Sequence, residues 1–513
     1  MVEDKRRQNS IRLEKVCKDG LSQRCLIIAA NRGPFEYYIT EDGRLQVRRS
    51  GGWMMAILNA VAQHKELTWV TCSMGEGDRK AAERAGDTHF KAPMMGRNVY
   101  LRFVSFPRNM YHKYYSVFCN PLLWFLQHSL WNVSYTPNID KAVYDAWESG
   151  YLPVNQAFAQ AVVAEAKENY TEPLVMLHDY HLYLAPQYIR QALPNVVIQH
   201  FTHIPWPSPD CWELLPKTMR RSILASLCDA DIVGLQNKRY VQNFLHCCDC
   251  FLDGAEVDYR SQTALYQGHL AHVKAYPVAV DAANLQKLNA SIRVQECDKK
   301  LSPLCNQHTI VRVDRVEPSK NIVRGFRAFD LLLERYPEMK GKVNFLAFLM
   351  PVRTHVKQFQ RYTEEVMALV EAINSRHGTV EWQPIHLFND NNYHQALAGL
   401  HHYDVLLVNA ISDAMPLVAK EGPIVNQRGG VLVLSEGLGV CEQLGQCALA
   451  VAPTDLEGTA QAIYTALTMS DEERSQRASQ LRRIIEEEDV IHWVYCQLED
   501  LASLCQQAPV AAA

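Results

Sequence analysis

The chain lacks any run of apolar residues long enough to cross a bilayer, and its opening stretch, MVEDKRRQNSIRLEKVCKDG, is charged, without the apolar centre of a secretory leader. These absences lead us to expect a cytoplasmic protein with no membrane partner. A strong charge bias is also missing: the net charge of −4 at pH 7 offers no broad basic face for nucleic acid. A small anion needs only a local patch, so anionic small molecules stay open. There is no internal repeat, and no low-complexity segment beyond the short PVAAA tail, which argues against a solenoid or a scaffold. Cysteine is plentiful, at fifteen, but the paired Cys-x-x-Cys arms of a structural zinc site are absent, and reduced thiols are expected. The HCCDC segment, His246 with Cys247, Cys248 and Cys250, continues an amphipathic helix in which Cys acts as a small apolar residue. Asp229-Ala230-Asp231 has the form of a magnesium-binding DxD but falls where a helix closes and a strand opens. Both read as structural, so neither a metal nor a cofactor is expected.

What the chain does have is a hydrophobic fraction of 48% against 21% charged, the balance of a globular protein, and 513 residues, too many for one core. Short β-branched runs alternate with helical stretches, the pattern of α/β domains with parallel sheets. Strands are expected at 26–30, 67–72, 99–106, 174–179, 196–204 and 231–236, then at 309–315, 343–350, 380–388, 403–410 and 430–435. The polar stretch between the two series places a domain boundary near Asp281. Most polar residues of interest fall at the carboxyl ends of these strands, where doubly wound sheets bind ligands. Arg315 and Lys320 stand in VDRVEPSKN, where a strand gives way to a helix, and such a junction favours anions. Ser319 reads as that helix's N-cap, Ile322, Phe326, Phe329 and Leu333 as its buried face, and Pro337 as its stop. A second basic pair is Arg32 in IIAANRGP and Arg353 in LMPVRTHV. Two phosphate-binding settings in one chain suit an enzyme that joins two phosphorylated substrates. His178, Asp179 and His181 follow one strand directly and His203 another; such polar groups are costly to bury without partners.

These segments resemble the retaining glycosyltransferase family of trehalose-6-phosphate synthase, family 20, which carries HDYHL and HIPFP in the same order. Further similar marks are Ala30-Asn31-Arg32 (SNR in the family), the pair Gly51 and Gly52, 114–124 (YYNxFSNxxLW), 313–321 (VDRxDYxKG), 351–353 (PSR), 413–421 (DGMNLVAKE) and 431–436 (VLVLSE). The resemblance spans roughly 26–504. It implies a GT-B fold, two Rossmann-like domains with a deep cleft between them: a charged extension at 1–24, an acceptor domain at 25–281, a nucleotide-sugar domain at 282–475 and C-terminal helices at 476–505 that cross back to the first domain. The resemblance also implies the roles. Arg32, Tyr115, Trp124 and Arg353 would hold the acceptor phosphate and Asp179 the acceptor sugar. His203, Asp413, Gly51, Gly52, Leu417 and Val418 would serve the donor, Arg315 and Lys320 its diphosphate and Glu421 its ribose. Asp179, His203, Arg315, Lys320 and Asp413 form the implied catalytic set. The implied partners are UDP- or GDP-glucose and glucose 6-phosphate, and the base pocket would lie near 387–392. The oligomeric state is left open by the sequence, a homo-oligomer included.

The match breaks in places. Cys72 stands where the family has a Trp near the acceptor sugar, Asn321 follows Lys320 where the family has Gly, and Ala414 and Pro416 replace Gly and Asn of DGMNLVAKE. Ala414 would forfeit the positive φ open to Gly, and Pro416 a side-chain amide and a backbone N–H. Because both phosphate sites are spared, the alternatives are a changed sugar, as in glucosylglycerol-phosphate synthase or the validoxylamine A 7'-phosphate synthase type, or a non-catalytic sugar-phosphate sensor.

Overall fold

The computed structural model describes residues 2–22, 24–50, 53–86, 88–93, 98–168, 172–352 and 357–507. Gly51, Gly52 and Arg353, three of the expected ligand contacts, lie outside the described residues. The chain divides into two compact units, one of residues 3–278 with the segment from Val490 onward, the other of Ala279–Asp489.

A ten-stranded sheet centres the first unit. Its parallel strands in chain order are Arg24–Ala30, Leu67–Cys72, Val99–Val104, Glu172–His178, Val197–Phe201, Ile232–Leu235 and His269–Ala275. Across the sheet they lie third, second, first, fourth, fifth, sixth and seventh. Helices cover a parallel sheet on both faces, which is why Leu67–Cys72 is buried at every position and reads as an unbroken apolar run. The order reverses between Arg24–Ala30 and Glu172–His178, which pair from Arg24 with Glu172 to Ala30 with His178. Ligands of doubly wound sheets bind beyond the carboxyl ends at such a reversal. The residues placed there are Asn31, Arg32 and Asp179.

The second unit repeats the plan with six parallel strands. In chain order they are His308–Arg315, Val343–Met350, Ile385–Phe388, Val405–Val408, Val431–Ser435 and Leu449–Val451, lying third, second, first, fourth, fifth and sixth. Here the reversal falls between His308–Arg315 and Val405–Val408. Beyond those two strands stand Lys320 and Asp413. Ile322, Phe326, Phe329 and Leu333 are fully buried on the core side of the helix Ile322–Arg335. Its N-cap is Asn321, however, and not Ser319, because a tight turn at Pro318–Lys320 delays the helix by two residues. Ser319 is buried and its hydroxyl donates to Glu317 at 3.4 Å.

Several expected elements shift. The run 196–204 shortens to Val197–Phe201, and 380–388 to Ile385–Phe388, with Val380 fully exposed and Pro384 immediately before the strand. The hairpin of Phe35–Ile39 and Leu45–Arg49, and His269–Ala275 with its antiparallel edge strands, were not expected; Leu45–Arg49 and His269–Ala275 carry several polar residues, whereas FEYYI at Phe35–Ile39 carries strand-forming residues that were passed over. The sequence placed the return to the first domain at 476, but the helix Asp471–Glu487 stays in the second unit, where Arg474 pairs with Asp404 at 2.9 Å. Only the helix Val490–Gln507 joins the first unit. Trp493 donates its indole N–H to the Tyr276 carbonyl at 3.0 Å and meets Phe201 edge-on, with ring centres 5.6 Å apart. Beside it Gln199 donates to Gln497 at 2.9 Å, and Asp500 accepts from Lys274 and Tyr276, each at 2.6 Å. Trp493→Ala is expected to cost about 3–5 kcal/mol, the usual loss for a large buried aromatic, read as a fall in the urea midpoint of tryptophan-independent circular dichroism.

Candidate active site

In the first unit Asp179 ends the strand Glu172–His178 with φ 76° and ψ 166°, a backbone conformation that L-residues rarely take. The turn is held on both sides. The Asp179 N–H donates to the Phe201 carbonyl at 2.7 Å, and its carboxylate accepts from the His203 N–H at 3.3 Å. His181 Nδ1 lies 3.7 Å from the same carboxylate. Burial opposes the charge on Asp179, but the neighbouring His181 and His203 outweigh it and hold the carboxyl below its ordinary range. His203 Nε2 lies 3.2 Å from His178 Nδ1, and burial pushes the His203 pKa down to about 4 with Asp179 opposing. The ring is therefore neutral at pH 7.

Tyr115 comes from His112–Trp124, a helix wound with i→i+5 hydrogen bonds. In an α-helix of 3.6 residues per turn, Tyr115 and Trp124 would point to opposite sides. The wider winding changes that offset. Tyr115 stacks on His181 (5.8 Å between ring centres, 12° between planes) and on Tyr111 (5.4 Å, 12°), and Arg32, exposed, lies close to its phenol. Trp124 is buried, its ring 4.1 Å from that of His128. Cys72 is buried in place of the family's Trp, beneath Tyr111, whose phenol also reaches Met74 at 3.0 Å and Asn31 at 3.4 Å.

The second unit gathers the remaining expected residues. Lys320 is buried and its ammonium pairs with Asp413. Burial opposes that charge, but Asp413 and Asp314 hold the lysine pKa above its ordinary value. Arg315 is half exposed and pairs with Glu317 at 2.9 Å. Arg312, which the sequence reading did not single out, is fully buried: it donates to Asp314 at 2.8 Å, to the Lys320 carbonyl at 2.6 Å and to Asn409 at 2.8 Å. A guanidinium inside an apolar strand was the available signal. Leu417 and Val418 open the helix Val418–Val425, whose first backbone N–H groups have no acceptor within the helix. Glu421 accepts from Tyr393 at 2.7 Å, and burial pushes its carboxyl up while that bond counters. Tyr393 was also missed, since nothing local marks it. In the segment expected near the base, Asn392 caps the helix Tyr393–Gly399 by accepting from the Gln395 N–H at 3.1 Å.

Two departures resolve structurally. Asn321 holds φ 58° and ψ 35°, the left-handed conformation that the family's Gly takes easily and that Asn tolerates best among side-chain residues. Its amide donates to the Asn409 and Pro453 carbonyls at 2.9 and 2.6 Å. Ala414 needs no such freedom: among the described residues positive φ falls, glycines aside, on Ser129, Asp179, Gln262, Gln267 and Asn321. Asp231 of the DxD segment is engaged with Arg190 at 2.8 Å, His269 at 3.2 Å and the Ile198 N–H at 2.7 Å.

The profile of glycosyltransferase family 20 matches residues 24–503. This chain belongs to that family. It is a glycosyltransferase of the GT-B fold, built from two Rossmann-like units. It is 30% identical over 489 residues to the UDP-forming alpha,alpha-trehalose-phosphate synthase of Pichia angusta, covering 91% of this chain and 97% of that one. Among solved structures it resembles the Escherichia coli trehalose-6-phosphate synthase bound with UDP-2-fluoro glucose, with 25% identity, a TM-score of 0.78, and 93% and 99% of the two chains covered. It also resembles the UDP-forming enzyme of Burkholderia xenovorans in complex with glucose-6-phosphate, with 26% identity, a TM-score of 0.76 and the same coverage.

Two outcomes follow from this geometry. Asn321→Gly is expected to keep activity, whereas Asn321→Val is expected to destabilise by about 1–2 kcal/mol from the left-handed backbone alone, compared by urea denaturation. The second concerns pH. Burial pushes the pKa of His200 down to about 3 and that of His203 to about 4. The unfolded chain takes up protons on both below about pH 6.5, so folding stability falls as pH drops from there toward about 4. Urea midpoints measured at pH 7 and pH 5 are expected to drop less in His200→Gln than in the parent chain; equal drops would mean that His200 is not held neutral.

Proposed function

We propose that this glycosyltransferase moves glucose, with retention, from UDP- or GDP-glucose to glucose 6-phosphate, giving α,α-trehalose 6-phosphate. The observation that carries the reading is the buried Lys320 paired with Asp413 at the strand-order reversal of the second unit, with Arg315 nearby, in a chain whose relatives are named for this reaction. As the anomeric centre becomes oxocarbenium-like, negative charge collects on the leaving diphosphate. Arg315 and Lys320 are cations already in place for it, and fixed charge of this kind supplies much of an enzyme's rate. Asp413 then faces the donor glucose, the N–H groups of Leu417 and Val418 meet its phosphates, and Glu421, steadied by Tyr393, takes the ribose hydroxyls.

On the acceptor side Arg32 and Tyr115 bind the phosphate, with Trp124 and Arg353 assigned by sequence pattern, as are Gly51 and Gly52 on the donor side. Asp179 orients the acceptor hydroxyl, and His203, neutral, donates to the donor sugar. The leaving phosphate oxygen takes the acceptor proton on the face it departs from, so no carboxylate nucleophile of the glycosidase kind is required. The reaction as proposed runs without a metal and in the cytoplasm. Cys72 under Tyr111 is the observation that favours a second reading, a changed acceptor such as glycerol 3-phosphate.

The test supplies the purified chain with UDP-glucose or GDP-glucose, each with glucose 6-phosphate or glycerol 3-phosphate, and identifies dephosphorylated products by mass and NMR. An α,α-1,1-linked disaccharide is expected, with Lys320→Ala slowing turnover about 100- to 1000-fold. Silence with all four pairs from protein that still binds a nucleotide would overturn the reading.

A further inference from the structure

At the opposite end of the strand that leads to Asp413, two adjacent histidines meet one carboxylate. His401 and His402 lie in the turn just before Val405–Val408, and Asp298 is on the helix Ile292–Leu301. His401 Nδ1 is 2.9 Å and His402 Nε2 2.8 Å from the same atom, Asp298 Oδ1, and one donor atom from each residue lies within 4.8 Å of the others. His401 is buried, while His402 and Asp298 are partly exposed, with side-chain exposures of 18% and 32%.

The other ring nitrogen of His401 carries the second observation. Nε2 faces Asn289 Oδ1, so both nitrogens of one imidazole point at acceptor oxygens. A neutral ring has a single N–H and can serve one of them. If Nε2–H is donated to Asn289, the Nδ1 lone pair is left facing a carboxylate, and a cation there would reconcile the two. An outer hydrogen bond that fixes a histidine's tautomer and leaves its other nitrogen as a ligand is the usual support of a metal-bound imidazole. The spacing agrees: bonds of about 2.0–2.1 Å at right angles set donors about 2.9 Å apart, against about 3.4 Å at tetrahedral angles. Two imidazoles and a carboxylate suit a divalent first-row ion such as Co²⁺, Ni²⁺ or Zn²⁺ better than Mg²⁺ or Ca²⁺, which prefer oxygen.

We propose that Asp298, His401 and His402 form a binding site for one divalent transition-metal ion, with Asn289 orienting His401. The ion ties the helix Ile292–Leu301 to the base of the strand Val405–Val408 and takes no part in glycosyl transfer. Asp298 precedes the histidines by 103 and 104 positions, which is why no local ligand spacing signalled the site.

The experiment titrates chelator-treated full-length protein with Co²⁺, following visible absorption and the melting temperature, for the parent chain, His402→Ala and Asp298→Asn. The parent is expected to bind one Co²⁺ with weak visible bands and no intense thiolate band, and to melt at a higher temperature when loaded. In His402→Ala, where the partly exposed ring is removed, affinity is expected to fall at least tenfold and the thermal shift to vanish. Binding of equal strength in parent and His402→Ala, or an intense cobalt–thiolate band as the only signal, would overturn the proposal and assign the ion to the cysteines. Should Asp298→Asn fail to fold, the comparison with His402→Ala still decides.

Discussion

Burying a positive charge inside an apolar sheet costs several kcal/mol unless it is paired and hydrogen-bonded, and the second unit is organised around two such charges. The Arg312 guanidinium sits fully buried in the strand His308–Arg315 and finds Asp314, Asn409 and the Lys320 carbonyl. Those contacts join both strands that flank the reversal to the turn carrying Lys320. The turn cannot move without stranding Arg312, so the ammonium of Lys320 is aimed by a residue that itself stays in the interior. Gly325 belongs to the same arrangement: a Cβ there would collide with Arg312, so the helix accepts its poorest interior residue apart from proline to let the guanidinium pass.

The first unit meets a comparable demand with backbone strain. Asp179 is forced to a positive φ, and the conformation persists because the Phe201 carbonyl and the His203 N–H bind it from the neighbouring strand's end. One strained residue thereby aligns the carboxylate with His203 and His181. The neutral state of His203 comes from the same burial that makes the arrangement rigid, so positioning and protonation state share one physical cause.

The sequence disclosed the long parallel strands because they are buried on both faces and read as unbroken apolar runs, and it disclosed Arg315, Lys320, Asp179 and His203 because each follows such a run. Elements governed by partners elsewhere in the chain stayed hidden. His269–Ala275 lies beside an antiparallel edge and has too few apolar residues to stand out. Arg312 gains its meaning only from Asn409, and Tyr393 only from Glu421. The i→i+5 winding of the helix that carries Tyr115 and Trp124 was likewise marked by no residue pattern.

The departures from the family pattern divide along the same line. Where the backbone itself is constrained, at 321, the replacement is the side-chain residue that best tolerates a left-handed turn, and its amide adds two bonds to neighbouring carbonyls. Where the backbone is ordinary, at 414, a buried Ala fits without strain, so the lost glycine carries no conformational penalty. Cys72 is a different kind of change. It removes a large ring and its N–H from the neighbourhood of Tyr111 and leaves the backbone register of Leu67–Cys72 intact, pairing with Val99–Val104 to the last residue. A change confined to side-chain volume and hydrogen bonding leaves the strand in place and alters what lies beside Tyr111. On the proposed reading, Cys72 puts one source of divergence from the relatives on the acceptor side, beside Tyr111, while Pro416 is a separate change in the donor segment.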